Sequence, residues 1–281
     1  MKPTLLEIGS LQFHAYPAML SLAFLVCTLA AARDGEKLLK PPVFIPPQGA
    51  IWALLGGMFG ARVFHQLQYR PMAEWYRAIY IWEPGLVFYG GLIGGTAGAA
   101  GYLLITKSFD WRQADVCGPY AALGEAITRI GCFLNGCCWG YPTDLPWAVA
   151  FPRGGHAWDR QVEDGVISRT AQHSLHVHPT QLYMAIGLLI AFIYLRQMLK
   201  RSPFTFSVAW GYIFLYGIVR FAVEIFRGDS ARSVFGMLTV SQAISMGFII
   251  VAAVGYTIME RRARTAIDQR PEVPLAAEPN A

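Results

Sequence analysis

The sequence predicts an all-α polytopic membrane protein with about seven transmembrane helices, N-terminus outside and C-terminus inside. Three observations predict it. The 281 residues are 54% hydrophobic and only 15% charged, with a mean hydropathy of +0.37; soluble domains carry about 25% charge. The apolar residues run in blocks close to the roughly 20 residues that a helix needs to cross a bilayer. The basic residues are biased to one side of those blocks. Together these features exclude disorder, a collagen-like repeat, a small disulfide scaffold and a soluble globule. The net charge of +5 is spread along the chain, so it reads as membrane topology, and no nucleic-acid partner is expected.

Each block supports one helix. Ala15–Ala32 (18 residues), Gly85–Thr106 (22), Pro179–Leu195 (17), Pro203–Val219 (17) and Ser233–Met259 (27) contain no charged residue. Two more blocks, about Gly49–Gln68 and Val116–Trp139, are apolar apart from Arg62 and His65 in one and Glu125 and Arg129 in the other. With the N-terminus outside, the inner segments hold 12 Lys and Arg against 8 outside, and Arg261, Arg262, Arg264 and Arg270 after the last block weigh most. Residues 1–260 therefore form a single integral-membrane domain. Residues 261–281 form a cytoplasmic tail, basic and then Pro/Ala-rich, whose end frays. The first block is longer than the apolar region of a cleavable signal peptide. One long outer segment, about Tyr141–His178, joins the fourth and fifth helices.

The charges left inside the blocks point to function. An ionisable group at mid-bilayer costs roughly 2.5–3.5 kcal/mol on insertion scales, so it faces a protein interior or a wet cavity. Glu125 and Arg129 share one helix face at i,i+4; Arg220 and Glu224 share another, which Arg227 extends by a turn. Arginines gathered near one leaflet suit an anionic headgroup, because the planar guanidinium donates paired hydrogen bonds to phosphate and stays charged. The competing reading is a pair of intrahelical salt bridges, but neither stripe balances once Arg62 and Arg227 are counted.

In the third block, Gly91 with Gly95 and Gly94 with Gly98 are small-xxx-small pairs for close helix approach. Gly90 and Gly91 could also loosen the helix and offer backbone groups to a ligand. No Gly-Lys-Ser/Thr follows, which argues against a phosphate loop. The outer segment carries His156, His173, His176 and His178 without a cysteine or carboxylate at ligand spacing, so no metal site is expected. For Cys132, Cys137 and Cys138, a disulfide, a reactive thiol and plain packing all stay open.

The stretch Arg129-Ile130-Gly131-Cys132-Phe133-Leu134-Asn135-Gly136-Cys137-Cys138-Trp139-Gly140 resembles the signature of bacterial prolipoprotein diacylglyceryl transferases, Gly-Arg-x-Gly-Asn-Phe-x-Asn-x-Glu-x-x-Gly. Further matches follow in order: Gly60-Ala61-Arg62; Tyr89-Gly90-Gly91-Leu92-Ile93-Gly94, against His-Gly-Gly-Leu-Ile-Gly; His178-Pro179-Thr180-Gln181-Leu182-Tyr183; and Tyr216-Gly217 through Arg220-Phe221-Ala222-Val223-Glu224-Ile225-Phe226-Arg227. The resemblance implies an enzyme of the bacterial inner membrane that needs no cofactor. It moves a diacylglyceryl group from phosphatidylglycerol to the lipobox cysteine of a prolipoprotein, with the prolipoprotein signal peptide and membrane lipid as partners.

On that resemblance Arg129 and Arg220 bind the phosphate and stabilise the leaving group, and Glu224 orients Arg220 or assists deprotonation. Tyr89 stands where the family has its proposed base. Arg62, Asn135, Gly140, Tyr216, Arg227, Gly90 and Gly91 line the substrate site. The chain departs from the family at Tyr89 (His), Thr128 (Gly), Cys132 (Asn) and Cys137 (Glu). Those departures motivate two other readings: a diverged homologue that is non-catalytic or uses another acceptor, and a lipid-binding or transport membrane protein.

Overall fold

The computed structural model describes residues 4–8, 11–69, 72–80, 85, 87–229, 232–234 and 238–268. The chain opens with an antiparallel ladder, β1 (Thr4–Ile8) on β2 (Leu11–His14). Then come α1 (Ala15–Leu38), α2 (Pro47–Tyr69), a 3₁₀ helix (Met72–Ile79), α3 (Phe88–Ile105) and α4 (Gln113–Asn135). A short α5 (His156–Glu163) precedes α6 (Thr180–Leu199) and α7 (Ser207–Glu224). β3 (Arg232–Val234) pairs with β4 (Leu238–Thr239), and α8 (Val240–Asp268) follows.

Each of the seven apolar blocks thus forms a long helix, although the boundaries move. α8 begins at Val240, after the β3–β4 ladder, where the sequence predicts Ser233, and it runs to Asp268. α1 continues past Ala32 through Arg33, Asp34 and Lys37. Among the described residues three helices are long and apolar enough to cross a membrane: Ala15–Leu38, Thr180–Leu199 and Val240–Ala266; Gly90–Ile105 is a shorter apolar helix. Their outward faces leave Leu25, Leu29, Ile190, Ile193, Ile250 and Val251 exposed, an apolar surface that water would disfavour and lipid accepts. The C-terminal stretch from residue 269, expected to fray, lies outside the described residues.

α4 is the central element. Val116, Tyr120, Ala122 and Ala126 pack against Leu188, Leu195 and Leu199 of α6, Val208 and Val223 of α7 and Ala31 of α1. At its first end, the buried Asp115 carboxylate accepts hydrogen bonds from the N–H groups of Phe206 (2.6 Å), Val208 (2.7 Å) and Ala209 (2.9 Å). The orphan donors at the start of α7 are thereby capped by another helix. Close by, buried Asp34 of α1 accepts from Tyr120 Oη (2.5 Å) and from Arg196 Nε (2.6 Å) and Nη2 (3.1 Å).

α2 and α3 pair through glycine. A Cβ at Gly60 would strike Gly90 O, and one at Gly94 would strike Gly56 O and lie 2.9 Å from Gly60 Cα. The row in contact is Gly90–Gly94–Gly98 against Gly56–Gly60; Gly91 and Gly95 flank it with looser contacts. That row lies one residue over from the Gly91–Gly95 pair the sequence singled out, while Gly94–Gly98 holds. α3 is helical through Gly90 and Gly91, and Gly91 N donates to Val87 O (3.1 Å).

The 141–178 segment is folded rather than loose. Its bridges Pro142–Val177, Val149–Val177 and Pro152–His173, together with α5, enclose a small core of Trp139, Phe151, Ala157 and Val177.

Candidate functional site

The last two turns of α4 and of α7 converge. Arg129 Nη2 meets Glu125 Oε1 at 2.6 Å along α4. On α7, Arg220 Nη1 lies 2.9 Å from Glu224 Oε2, and Arg227 Nη1, just past the helix, reaches the same oxygen at 3.6 Å. Glu224 is buried, and its other oxygen accepts from Thr239 Oγ1 (2.9 Å). Arg220 Nη2 donates to Ser241 Oγ (3.0 Å), so the end of β4 and the first turn of α8 brace both residues.

Arg129, Arg220 and Arg227 line one narrow cleft with Cys138, Thr180, Gln181, Met184 and Val223. The free space between these side chains is only about 10 Å³, roughly that of one water, so they close on one another and a headgroup enters only as they part.

The charge balance corrects the sequence reading. Arg227 Nε and Nη2 hold both oxygens of Asp229 at 2.8 and 2.9 Å, a partner just beyond the predicted stripe. Three guanidiniums therefore meet three carboxylates: Glu125, Glu224 and Asp229. Burial opposes the Arg227 charge, and the hydrogen bond and charge of Asp229 together with the Cys138 and Glu224 charges more than offset it. Polar atoms are still left without a hydrogen-bond partner: Arg129 Nε among the donors, Glu224 Oε2 and Gln181 Oε1 among the acceptors, and a buried group left so costs about 1–3 kcal/mol unless something arrives to pair with it.

The loop after α4 is set by its end cap. Gly136 takes φ +77°, its N–H donates to Phe133 O (3.2 Å), and Cys137 N donates to Cys132 O (3.2 Å). This is a Schellman motif, in which the chain folds back over the last turn and brings the residue after the glycine onto the residue five before it. Those two residues are Cys137 and Cys132. Cys138 then adopts φ +61°, strained for a residue with a Cβ. Thr180 Oγ1 holds the Cys138 carbonyl and Gln181 Nε2 the Cys137 carbonyl, each at 2.6 Å. The three Sγ atoms all lie within 4.8 Å of one another. Cys138 Sγ accepts from Arg129 Nη1 at 3.9 Å. Hydrogen bonds from the Cys132 and Cys137 thiols, with Arg227 and Arg129 nearby, hold the Cys138 thiol below the ordinary range.

Among the described residues, the remaining candidates do not line this cleft. Gly140 sits where three segments cross: its N–H donates to His178 O (3.0 Å), Tyr141 N donates to Phe226 O (2.9 Å), and a Cβ on Gly140 would come 2.6 Å from Phe226 O. Tyr216, one turn before Arg220, stacks between Tyr212 and Phe248. Asn135 closes α4, with its amide 3.5 Å from His156 Nε2. Arg62 is buried on α2 and donates to Gly85 O (3.2 Å). Gly90 and Gly91 belong to the α2–α3 seam. Tyr89 lies in the first turn of α3, and its side chain is outside the described residues. Thr180, Gln181 and Cys138 line the cleft without having been named for it; the first two lie in the His178–Tyr183 motif, the signal that could have found them.

Fold and site together define a helical bundle of membrane character with an arginine-lined cleft at one end. The chain belongs to the prolipoprotein diacylglyceryl transferase family: the family model matches residues 3–258. Curated relatives named phosphatidylglycerol–prolipoprotein diacylglyceryl transferase include one from Clostridium tetani, 32% identical over 92% of this chain and 98% of its own length. Another, from Methylococcus capsulatus, is 31% identical over 90% and 93%, and a third, from Pasteurella multocida, is 31% identical over 90% of each chain. The family resemblance read from the motifs is thereby borne out along nearly the whole sequence.

Proposed function

We propose that this chain transfers the diacylglyceryl group of phosphatidylglycerol to the cysteine thiol of a prolipoprotein. The observation that carries the reading is that Arg129 of α4 and Arg220 of α7, from separate helices, line one cleft. The relatives' shared name and their coverage of this chain support the two substrates.

The acceptor thiolate attacks a glyceryl carbon, that carbon's bond to the phosphate oxygen breaks, and glycerol phosphate departs with the electron pair. The products are a thioether-anchored protein and glycerol phosphate. Negative charge grows on the departing phosphate, and guanidiniums fixed beforehand stabilise it more than water does. Arg129, with its unpartnered Nε, and Arg220 receive the phosphate; Arg227 adds charge. Glu125 and Glu224 hold the guanidinium planes in place. Asn135, Gly140, Tyr216 and Arg62 shape the surroundings, and the Gly90–Gly91 seam carries Tyr89. Tyr89 supplies a hydroxyl where relatives of this family place histidine.

The apolar helices and the bacterial relatives support a multi-pass protein of the inner membrane. In this reading seven helices span, the N-terminus is outside and the C-terminus inside, residues 1–260 are one domain, and 261–281 are a cytoplasmic tail. Both substrates enter sideways from lipid, and the folded 141–178 segment receives the signal peptide on the outer face.

The test is a lipobox peptide incubated with the reconstituted protein in phosphatidylglycerol vesicles and read by mass. A gain of one diacylglyceryl unit is expected with the wild type. Arg129→Ala and Arg220→Ala, still inserted, are expected to lose at least about 100-fold in rate. Undiminished transfer in both variants overturns the site. Tyr89→Phe lowers the rate if the hydroxyl participates, and Tyr89→His is tolerated.

A further inference from the structure

We propose that Cys132, Cys137 and Cys138 bind a thiophilic metal ion, Zn²⁺, whose fourth coordination position takes the acceptor cysteine of the substrate. The inference rests on the transferase reading and deepens it.

The geometry comes first. Three thiolates around zinc at about 2.3 Å stand roughly 3.8–4.0 Å apart; the three Sγ atoms here already lie within 4.8 Å of one another and form no disulfide. The backbone is built to keep them there. The Schellman turn at Gly136 folds Cys137 onto Cys132. Cys138 is held at positive φ by Thr180 and Gln181, which clamp the Cys138 and Cys137 carbonyls. A strained residue held this firmly by its neighbours is a common mark of a functional position.

In this proposal the fourth coordination position is left to a guest, with the Asn135 side chain beside Cys137. The two clamped carbonyls are engaged by those donors, Glu125 is held by Arg129, and the Arg129 guanidinium 3.9 Å from Cys138 Sγ has no lone pair to give. Cys132 is buried, whereas Cys138 lines the cleft, so the open side faces the arginines. Three protein ligands and an open fourth position make the arrangement of a reactive zinc site; structural sites are closed. Zn²⁺ with three thiolates carries one net negative charge, which lies beside the Arg129 and Arg227 guanidiniums.

The chemistry answers a need of the transfer. The nucleophile is a thiolate, and a free thiol near pKa 8.5 is mostly protonated at neutral pH. A thiol that coordinates zinc is deprotonated outright. The acceptor R–SH would form a Zn–S bond and release its proton to solvent. The bound sulfur then attacks the glyceryl carbon beside Arg129 and Arg220, the carbon–oxygen bond breaks, and the thioether product, a weaker ligand, leaves the metal.

The experiment uses the full-length protein purified in detergent under reducing conditions. Metal analysis is expected to find about one zinc per chain. Cobalt exchanged for zinc is expected to show thiolate-to-metal charge-transfer absorption. Cys138→Ser should reduce bound metal at least tenfold. So should the double variant Cys132→Asn with Cys137→Glu, which restores the family residues and guards against a misfolded single variant. A lipobox peptide should change the cobalt spectrum, and the same peptide with serine in place of its cysteine should not. Absence of metal, metal retained in both variants, or a spectrum indifferent to the cysteine peptide overturns the proposal. Transfer at full rate after chelation removes the metal overturns this inference and leaves the transferase reading intact. Metal binding without transfer on phosphatidylglycerol overturns the transferase reading and leaves the site.

Discussion

The two ends of α4 hold charge in opposite ways. At the Asp115 end every buried charge has its partners: Asp115 takes three backbone N–H groups, and Asp34 takes a hydroxyl and two guanidinium donors. At the Arg129 end three guanidiniums share a cleft, one carries an unpartnered buried donor, and a cysteine is held at positive φ. Buried charges with their partners stabilise a fold, while unpartnered polar atoms and strain destabilise it and are kept where something else completes the set. The difference separates a fastening from a binding site within a single helix.

The sharpest way to break that distinction is to cut each end in turn. Arg129→Ala or Arg220→Ala should lower the transfer rate by about 10²–10³-fold, the scale of losing one preorganised donor to a developing anion. Thermal unfolding in detergent should move little for Arg129→Ala, which loses a partly exposed ion pair, and more for Arg220→Ala, which leaves the buried Glu224 carboxylate to Arg227 and Thr239. Asp115→Ala should do the reverse. Three N–H groups at the start of α7 lose a charged acceptor, which costs about 2–3 kcal/mol, while the rate per folded molecule holds. If Asp115→Ala removed activity without lowering the unfolding temperature, the two ends would not be separable as described.

A smaller effect sharpens the same contrast in another seam. Gly94→Ala places a methyl group on the Gly56 carbonyl of α2. Backbone cannot move aside as a side chain can, so about 1–3 kcal/mol of stability is lost. Gly101→Ala, which meets nothing within 4 Å, should be neutral or slightly stabilising because alanine is the better helix former. Unfolding curves of the two variants side by side decide it; equal losses would remove the glycine row as the reason for close approach.

These contrasts also mark what the sequence could disclose. Continuous apolar runs are a strong local signal, so all seven long helices were legible. Charges at i,i+4 inside such runs were equally legible, and Arg129, Arg220 and Arg227 do share a cleft. Asp115 and Asp34 escaped because their partners stand 91–94 and 162 residues away in sequence, and no periodicity links them. Asp229 escaped although it is two residues from Arg227, because the stripe was followed only along a helical face. Cys132 and Cys137, five apart, would diverge on a continuous helix; Gly136 ends it and folds one onto the other. A glycine just past the last periodic residue is a known stop signal, so the thiol cluster had a readable clue. The glycine seam was read one position off in part because α2's contribution, Gly56 with Gly60, went unpaired with α3.

The smallest effect concerns the fastened end and carries a pH dependence. Asp110, ahead of α4, accepts from Arg112 N at 2.8 Å and from Arg112 Nε and Nη2 at 3.1 and 2.7 Å. Those hydrogen bonds with Arg112 hold the Asp110 carboxyl below its ordinary range. A carboxylate lowered in the folded state adds stability that is present above its unfolded pKa, near 3.9, and is lost as pH falls through the folded value. Both side chains are about one-third exposed, 34% for Asp110 and 31% for Arg112, so water and salt screen the pair and its worth stays under about 1 kcal/mol. Asp110→Asn should lower the unfolding temperature slightly at pH 7, and the gap between variant and wild type should close only below about pH 4. A gap that persisted undiminished into strong acid would mean that the residue acts through something other than its charge, since the protonated carboxyl and the amide are then both neutral.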